Sequence, residues 1–131
     1  MASVQKSAVR RTMQAISFCR MSSSIPINQV ARVLRFHVGN EENAVKMDGK
    51  VKALIPQFKA QPGYVSTTRT VCKSEWAYEA EVRFDSLENF KAYMEGDFRQ
   101  KVATPFLEEI KPLMTDPDKV YIGARVIDDL E

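Results

Sequence analysis

Arg32 is the residue in this chain whose placement most needs a chemical explanation. It belongs to the run QVARVLRFHV, Gln29–Val38, in which alternation puts Val30, Arg32, Leu34, Phe36 and Val38 on one face and Ala31, Val33, Arg35 and His37 on the other. A guanidinium among apolar neighbours on a helix-facing side needs either an anion or a route to water. Two readings fit: it holds a ligand carboxylate or phenolate, or it snorkels at the sheet rim. Other reactive side chains are scarce. His37 is the single histidine, which excludes a site built from two imidazoles of one chain, and its face suits a structural or interface role. Cys72 stands alone in a strand and reads as a small core residue; the other cysteine, Cys19, lies near the N-terminus, so the folded part has neither an internal disulfide nor a metal quartet. Phosphate-binding loops and paired carboxylates facing an evident cleft are absent.

The elements that position these residues turn on Trp76–Met94, WAYEAEVRFDSLENFKAYM. Up to Phe84 the large apolar side chains fall at every second position, Trp76, Tyr78, Val82 and Phe84, with Glu79, Glu81 and Arg83 alternating. After Ser86 they fall at helical spacing, Leu87, Phe90, Tyr93 and Met94. Asp85 and Ser86 both suit an N-cap, with Glu88 and Asn89 three residues after them. Upstream, Asn40 caps a helix whose stripe is Met47, Val51, Leu54, Ile55 and Phe58; Pro56 should kink or end it, and Gln61-Pro62-Gly63 closes it. Tyr64–Lys73 is a second strand, in a hairpin with Trp76–Asp85. The second helix is interrupted at Gly96-Asp97 and then buries Phe98, Val102, Phe106 and Ile110. Val120–Ile127 is the last strand, with Val120, Ile122, Ala124 and Val126 on one face.

The order βαββαβ is ferredoxin-like: an α+β fold with a four-stranded antiparallel sheet and two helices on one face. The open face is expected to show Val33, Arg35, His37, Arg69, Glu79, Glu81 and Arg83. Two such sheets closing on each other would pair opposite charges across the interface.

Residues 1–24 contain Arg and Ser but no acid, since the first acidic residue is Glu41, and they place Val9, Met13 and Ile16 on one helical face. This is transit-peptide composition, directing the chain to a mitochondrion or, second, a plastid; the alternative is a basic tail on a cytoplasmic protein. The chain has 19 Lys and Arg and 17 acids. The leader holds Lys6, Arg10, Arg11 and Arg20, so the domain at 25–131 keeps 15 basic residues against 17 acids, a net −2 that offers no basic pull toward nucleic acid. No apolar run is long enough to span a membrane.

VARVLRFHV, the approach Gln61-Pro62-Gly63-Tyr64 and above all EVRFDSLENFKAYMEGDF carry a resemblance to the dimeric α/β-barrel superfamily, in its antibiotic-biosynthesis-monooxygenase-like branch, over residues 29–127. The resemblance implies a homodimer whose two sheets form a barrel, with a pocket in each subunit between sheet and helices. Phe84 stands where many relatives have a Trp, keeping the aromatic wall without the indole donor. Tyr93 stands where relatives carry a pocket Tyr or His, and its hydroxyl is capable of acid or base work, although its spacing also fits a packed aromatic. Phe98 and Arg99 cover the place where relatives often put a second His. With no imidazole in residues 87–114, a His-dependent cyclase or helix-ligated haem enzyme does not fit, and His37 is on the wrong face for haem.

The resulting site has Tyr93 and Arg99 as catalytic candidates and Arg32, Leu34, Phe36, Trp76, Tyr78, Phe84 and Phe98 as substrate-binding candidates, with no cofactor and no metal. Two functions are expected from it. One is a cofactor-independent monooxygenase or cyclase-like enzyme acting on an aromatic or polyketide-like molecule, with Tyr93 shuttling a proton and Arg32 or Arg99 steadying an oxyanion. The other is a non-catalytic homodimer binding a small apolar ligand, or a stress or assembly factor of an organelle.

Overall fold

Two side-chain caps set the frame. Asn40 Oδ1 accepts the Asn43 N–H at 2.8 Å and starts α1, Glu41–Lys59, with Glu41 and Glu42 at the positive end of its dipole. Of the two candidate caps before the second helix, Ser86 takes the position, its Oγ accepting from the Asn89 N–H at 3.1 Å to start α2, Leu87–Glu95. The computed structural model describes residues 25–131, so the expected leader at 1–24 lies outside the described residues.

The strands are β1 (Gln29–His37), β2 (Tyr64–Cys72), β3 (Ala77–Phe84) and β4 (Tyr121–Ile127). They form one antiparallel sheet in the order β2-β3-β1-β4, the ferredoxin-like α+β arrangement, and the sheet does not close on itself. Beyond α2 the chain continues as a π-helical turn, Arg99–Ala103, then α3, Thr104–Ile110, and a 3-10 turn, Lys111–Leu113. The interruption at Gly96 is therefore present, but four helical segments follow α1 where a second helix in two pieces was expected. Pro56 does not end α1, which runs on to Lys59. Lying in the last turn, it removes one N–H from the ladder and leaves the termination to Gln61-Pro62-Gly63.

Register fixes the faces. Val30, Arg32, Leu34 and Phe36 stand opposite Phe84, Val82, Ala80 and Tyr78, all on the helix side. On β2 the expected placement of Arg69 on the open face is wrong. A bulge between Tyr64 and Ser66 adds a residue at Val65, so Thr67, Arg69 and Val71 pair with Val82, Ala80 and Tyr78 and point toward the helices. Cys72, expected in the core, is exposed at the hairpin end, where its Sγ lies 3.2 Å from Ser74 Oγ. That hydroxyl holds the thiol below its ordinary range.

The open face is less bare than its charges imply. Ala31 and Val33 are completely buried there. The Tyr121 ring folds over Gly123, the partner of Val33, so closely that a Cβ at Gly123 would collide with it. The Arg35 and Arg125 guanidiniums lie over the same ring at 5.4 and 5.8 Å. Arg35 also pairs with Glu79 at 3.7 Å, and Arg83 with Glu81 at 2.6 Å.

Beneath the helices the core divides. One half gathers Phe36, Val38, Met47, Tyr78, Ile110 and Met114; the other gathers Val30, Phe58, Phe84, Phe90 and Tyr93. No helix among the described residues is long and apolar enough to cross a membrane.

Candidate functional site

A cavity of about 170 Å3 lies between the two core halves. Its floor is the helix side of the sheet at Leu34, Phe36, Ala80 and Val82; Leu54 and Ile55 of α1 form one wall, and Phe106 and Leu107 of α3 another. The lining is apolar apart from Arg32, Thr67, Tyr93, Arg99 and Thr104, and contains no carboxylate.

Local structure explains how the charged groups arrive there. Arg32 sits at mid-strand in β1, between Val82 of β3 and Ala124 of β4. Among the described residues its guanidinium has no hydrogen bond and no ion pair. Arg99 opens the π-helical turn, in which the Thr104 N–H reaches back five residues to the Arg99 carbonyl. Pro105 follows directly and has no N–H to return to Lys101, which is where a helix readily widens. Arg99 Nη1 donates to the Met94 carbonyl at 3.1 Å, using an orphan acceptor near the end of α2. Tyr93, on the buried face of α2, is 7% exposed. Its ring packs against Phe84 at 5.1 Å, Phe58 at 5.8 Å and Phe98 at 6.1 Å.

Burial lifts the Tyr93 hydroxyl above the ordinary tyrosine range, while the charges of Arg32 and Arg99 pull it back. The Tyr93 group is therefore a neutral phenol near pH 7, a donor at rest. Arg32 is held below the usual arginine range by burial and next by the positive charge of Arg99.

Of the residues expected from sequence, the cavity brings together Arg32, Leu34, Phe36, Tyr93 and Arg99. Trp76, Tyr78, Phe84 and Phe98 do not line it. Trp76 falls in the β2–β3 turn with φ of 56°, where its N–H bonds the Cys72 carbonyl and its own carbonyl accepts from Val38. Phe84 is fully buried beside Phe90, and Phe98 packs edge-on to Phe58 at 5.1 Å. Tyr78 stacks on Phe36 at 5.5 Å and donates its hydroxyl to Asp48 Oδ1 at 2.6 Å. That bond belongs to a second recess, of about 250 Å3, in which Arg69 Nε and Nη2 grip the two oxygens of Asp48 at 2.8 and 2.6 Å. His37 is exposed on the other side of the sheet, as its alternation implied.

Sequence reasoning passed over Thr67, Thr104 and Leu107. Thr67 depends on the bulge for its direction, and the other two depend on the π-helical turn. Pro105 was the available signal for that turn.

No family model matches the chain, and no curated protein matches it either. Solved structures do. A cofactor-independent oxygenase, SnoaB from Streptomyces nogalater, is 18% identical, with a TM-score of 0.56 over 78% of this chain and 95% of that one. A monooxygenase from the gene ActVA-Orf6 of Streptomyces coelicolor, in complex with the ligand nanaomycin D, gives a TM-score of 0.62 at 16% identity over 80% of this chain and 91% of that one. Rv0793 from Mycobacterium tuberculosis gives 0.55 at 16% identity, covering 79% and 99%. At these identities the likeness is one of fold.

Proposed function

We propose that the chain is a cofactor-independent monooxygenase, or a cyclase-like enzyme, acting on an aromatic or polyketide-like small molecule in the cavity between sheet and helices. The observation that carries this reading is the convergence of Tyr93, Arg32 and Arg99 on one otherwise apolar, carboxylate-free cavity. Fold similarity to a cofactor-independent oxygenase and to a monooxygenase adds to it.

In this reading the apolar walls exclude water and hold the rings of an electron-rich phenol or enol. The substrate's acidic proton is lost to solvent at the open β4 edge of the cavity, giving an anion that supplies the electrons to dioxygen; one oxygen atom stays in the product and the other leaves as water. Arg32 and Arg99 stabilise that anion, and Tyr93, neutral at rest, donates a hydrogen bond or a proton to the oxygen on which charge develops. Oxygen uptake on adding an anthrone-type phenol is the measurement. Tyr93→Phe should lower kcat at least tenfold, while an unchanged rate removes Tyr93 from the chemistry.

A second reading is favoured by the three rings against Tyr93, which are what a purely packed aromatic would have: a non-catalytic homodimer that binds a small molecule in the same cavity. Under it, ligands bind without oxygen uptake and Tyr93→Phe leaves their affinity intact. We also propose that residues 1–24 form a leader for a mitochondrion or plastid, on the strength of their acid-free composition. A fluorescent fusion of residues 1–30 that stays in the cytosol removes that proposal.

A further inference from the structure

The arginines of the described residues are not treated alike. Arg35, Arg69 and Arg83 each have a carboxylate within 4 Å. Arg125 lies over the Tyr121 ring. Arg32 and Arg99, the two that line the cavity, have no acidic partner among the described residues, and Arg99 uses one N–H on a single carbonyl. Between them they bring donors held in planar forks to the lining of a space that contains no carboxylate. Like charges at short range, partly out of water, repel each other and oppose folding. A neutral ligand filling this cavity would strip more water from both guanidiniums and return no charge to either.

The cavity also has a direction. On its β4 side the helices stop short, so that Ile122 and Val126, opposite Leu34 and Val30 on the helix-facing side, remain 42% exposed. Ile122 is at once a cavity wall and a surface residue. The two guanidiniums thus stand in the cavity lining, and an apolar strip continues from Ile122 to Val126 along the edge strand.

We infer that the ligand is an organic anion, a carboxylate or acidic enol on a flat apolar body, its charge shared by Arg32 and Arg99 and its body lying out along Ile122 and Val126. This rests on the reading that the cavity is the substrate site, and it adds that the ligand arrives already charged. The two guanidiniums supply the donors for the charged oxygen or oxygens of such a group, and the apolar strip covers the rest of the molecule.

The test compares two probes of nearly the same shape, 2-naphthoate and 2-naphthylmethanol, by titration calorimetry on the full chain at pH 7.5 and low salt. Naphthoate should bind at least tenfold more tightly, and its affinity should fall as sodium chloride is raised. Arg32→Met and Arg99→Met should each weaken naphthoate at least fivefold, whereas naphthylmethanol, relieved of a guanidinium to desolvate, should bind at least as tightly as to wild type. Arg32→Lys and Arg99→Lys, which keep the charge without the fork and are gentler on folding, should fall between. Equal binding of the two probes, both abolished by Ala80→Trp in the cavity floor, overturns the anion while leaving the cavity as a binding site. Failure of both probes to bind takes the cavity reading away with it.

Discussion

Asp48 illustrates how one side chain can tie an element down and record its state in the pH dependence of stability. It accepts both Arg69 nitrogens from β2 and the Tyr78 hydroxyl from β3, fastening α1 to the sheet beside the cavity. Hydrogen bonding from Arg69 holds its carboxyl below the ordinary aspartate value of 3.8, with Tyr78 adding to the effect. A folded-state pKa below the unfolded one gives stability that is complete above the unfolded value and is lost as pH falls through the folded one. Asp48→Asn should therefore destabilise by about 1–2 kcal/mol at pH 7, discounted because Arg69 is partly exposed. The gap from wild type should narrow as pH drops below about 4. Urea denaturation at pH 7 and pH 3 measures it, and a pH-independent difference would deny Asp48 this role. Tyr78 was expected as a substrate contact because its face was legible; what it bonds on the neighbouring helix was not, since a hydrogen bond across 30 residues leaves no periodic trace.

Between elements, the junctions reveal which parts of the architecture local pattern can carry. Both strand-to-helix joins were readable, because a change of period at an Asn or Ser cap is a local signal. The bulge at Val65 and the π-helical turn at Arg99–Ala103 were not. Each adds a single residue, and one added residue moves every later side chain to a different face without altering composition. Hence Arg69 was placed on the wrong side, and Thr104 and Leu107 were missed. The α1–β2 connection had a better signal in Gly63, which adopts φ of 79° and whose carbonyl oxygen accepts from the Asp85 N–H at 2.8 Å. A Cβ there would stand 2.5–2.6 Å from the Asn89 and Asp85 side chains, which bond one another at 2.8 Å. Gly63→Ala should cost about 1–3 kcal/mol through the left-handed backbone and the displaced pair. A thermal shift under 1 °C would show that the pair simply yields.

At the scale of the whole molecule, two surfaces stand out among the described residues: the charged sheet face around Tyr121 and the apolar edge of β4. The first carries Arg35, Arg83 and Arg125 among Glu79 and Glu81, charges of both signs that the proposed pairing with a second copy would set against their opposites. Residues 25–131 should sediment as a dimer at micromolar concentration, and Tyr121→Asp should shift them toward monomer; a monomeric wild type removes the pairing. The divided core has a different outcome. A domain whose oily interior is parted by a hollow is softer at its middle than at either end, so hydrostatic compression should first squeeze the gap, then flood it, before either aromatic half comes apart. A molecule that filled that gap, as proposed, would act as a keystone, and its departure would leave the arch standing but springy.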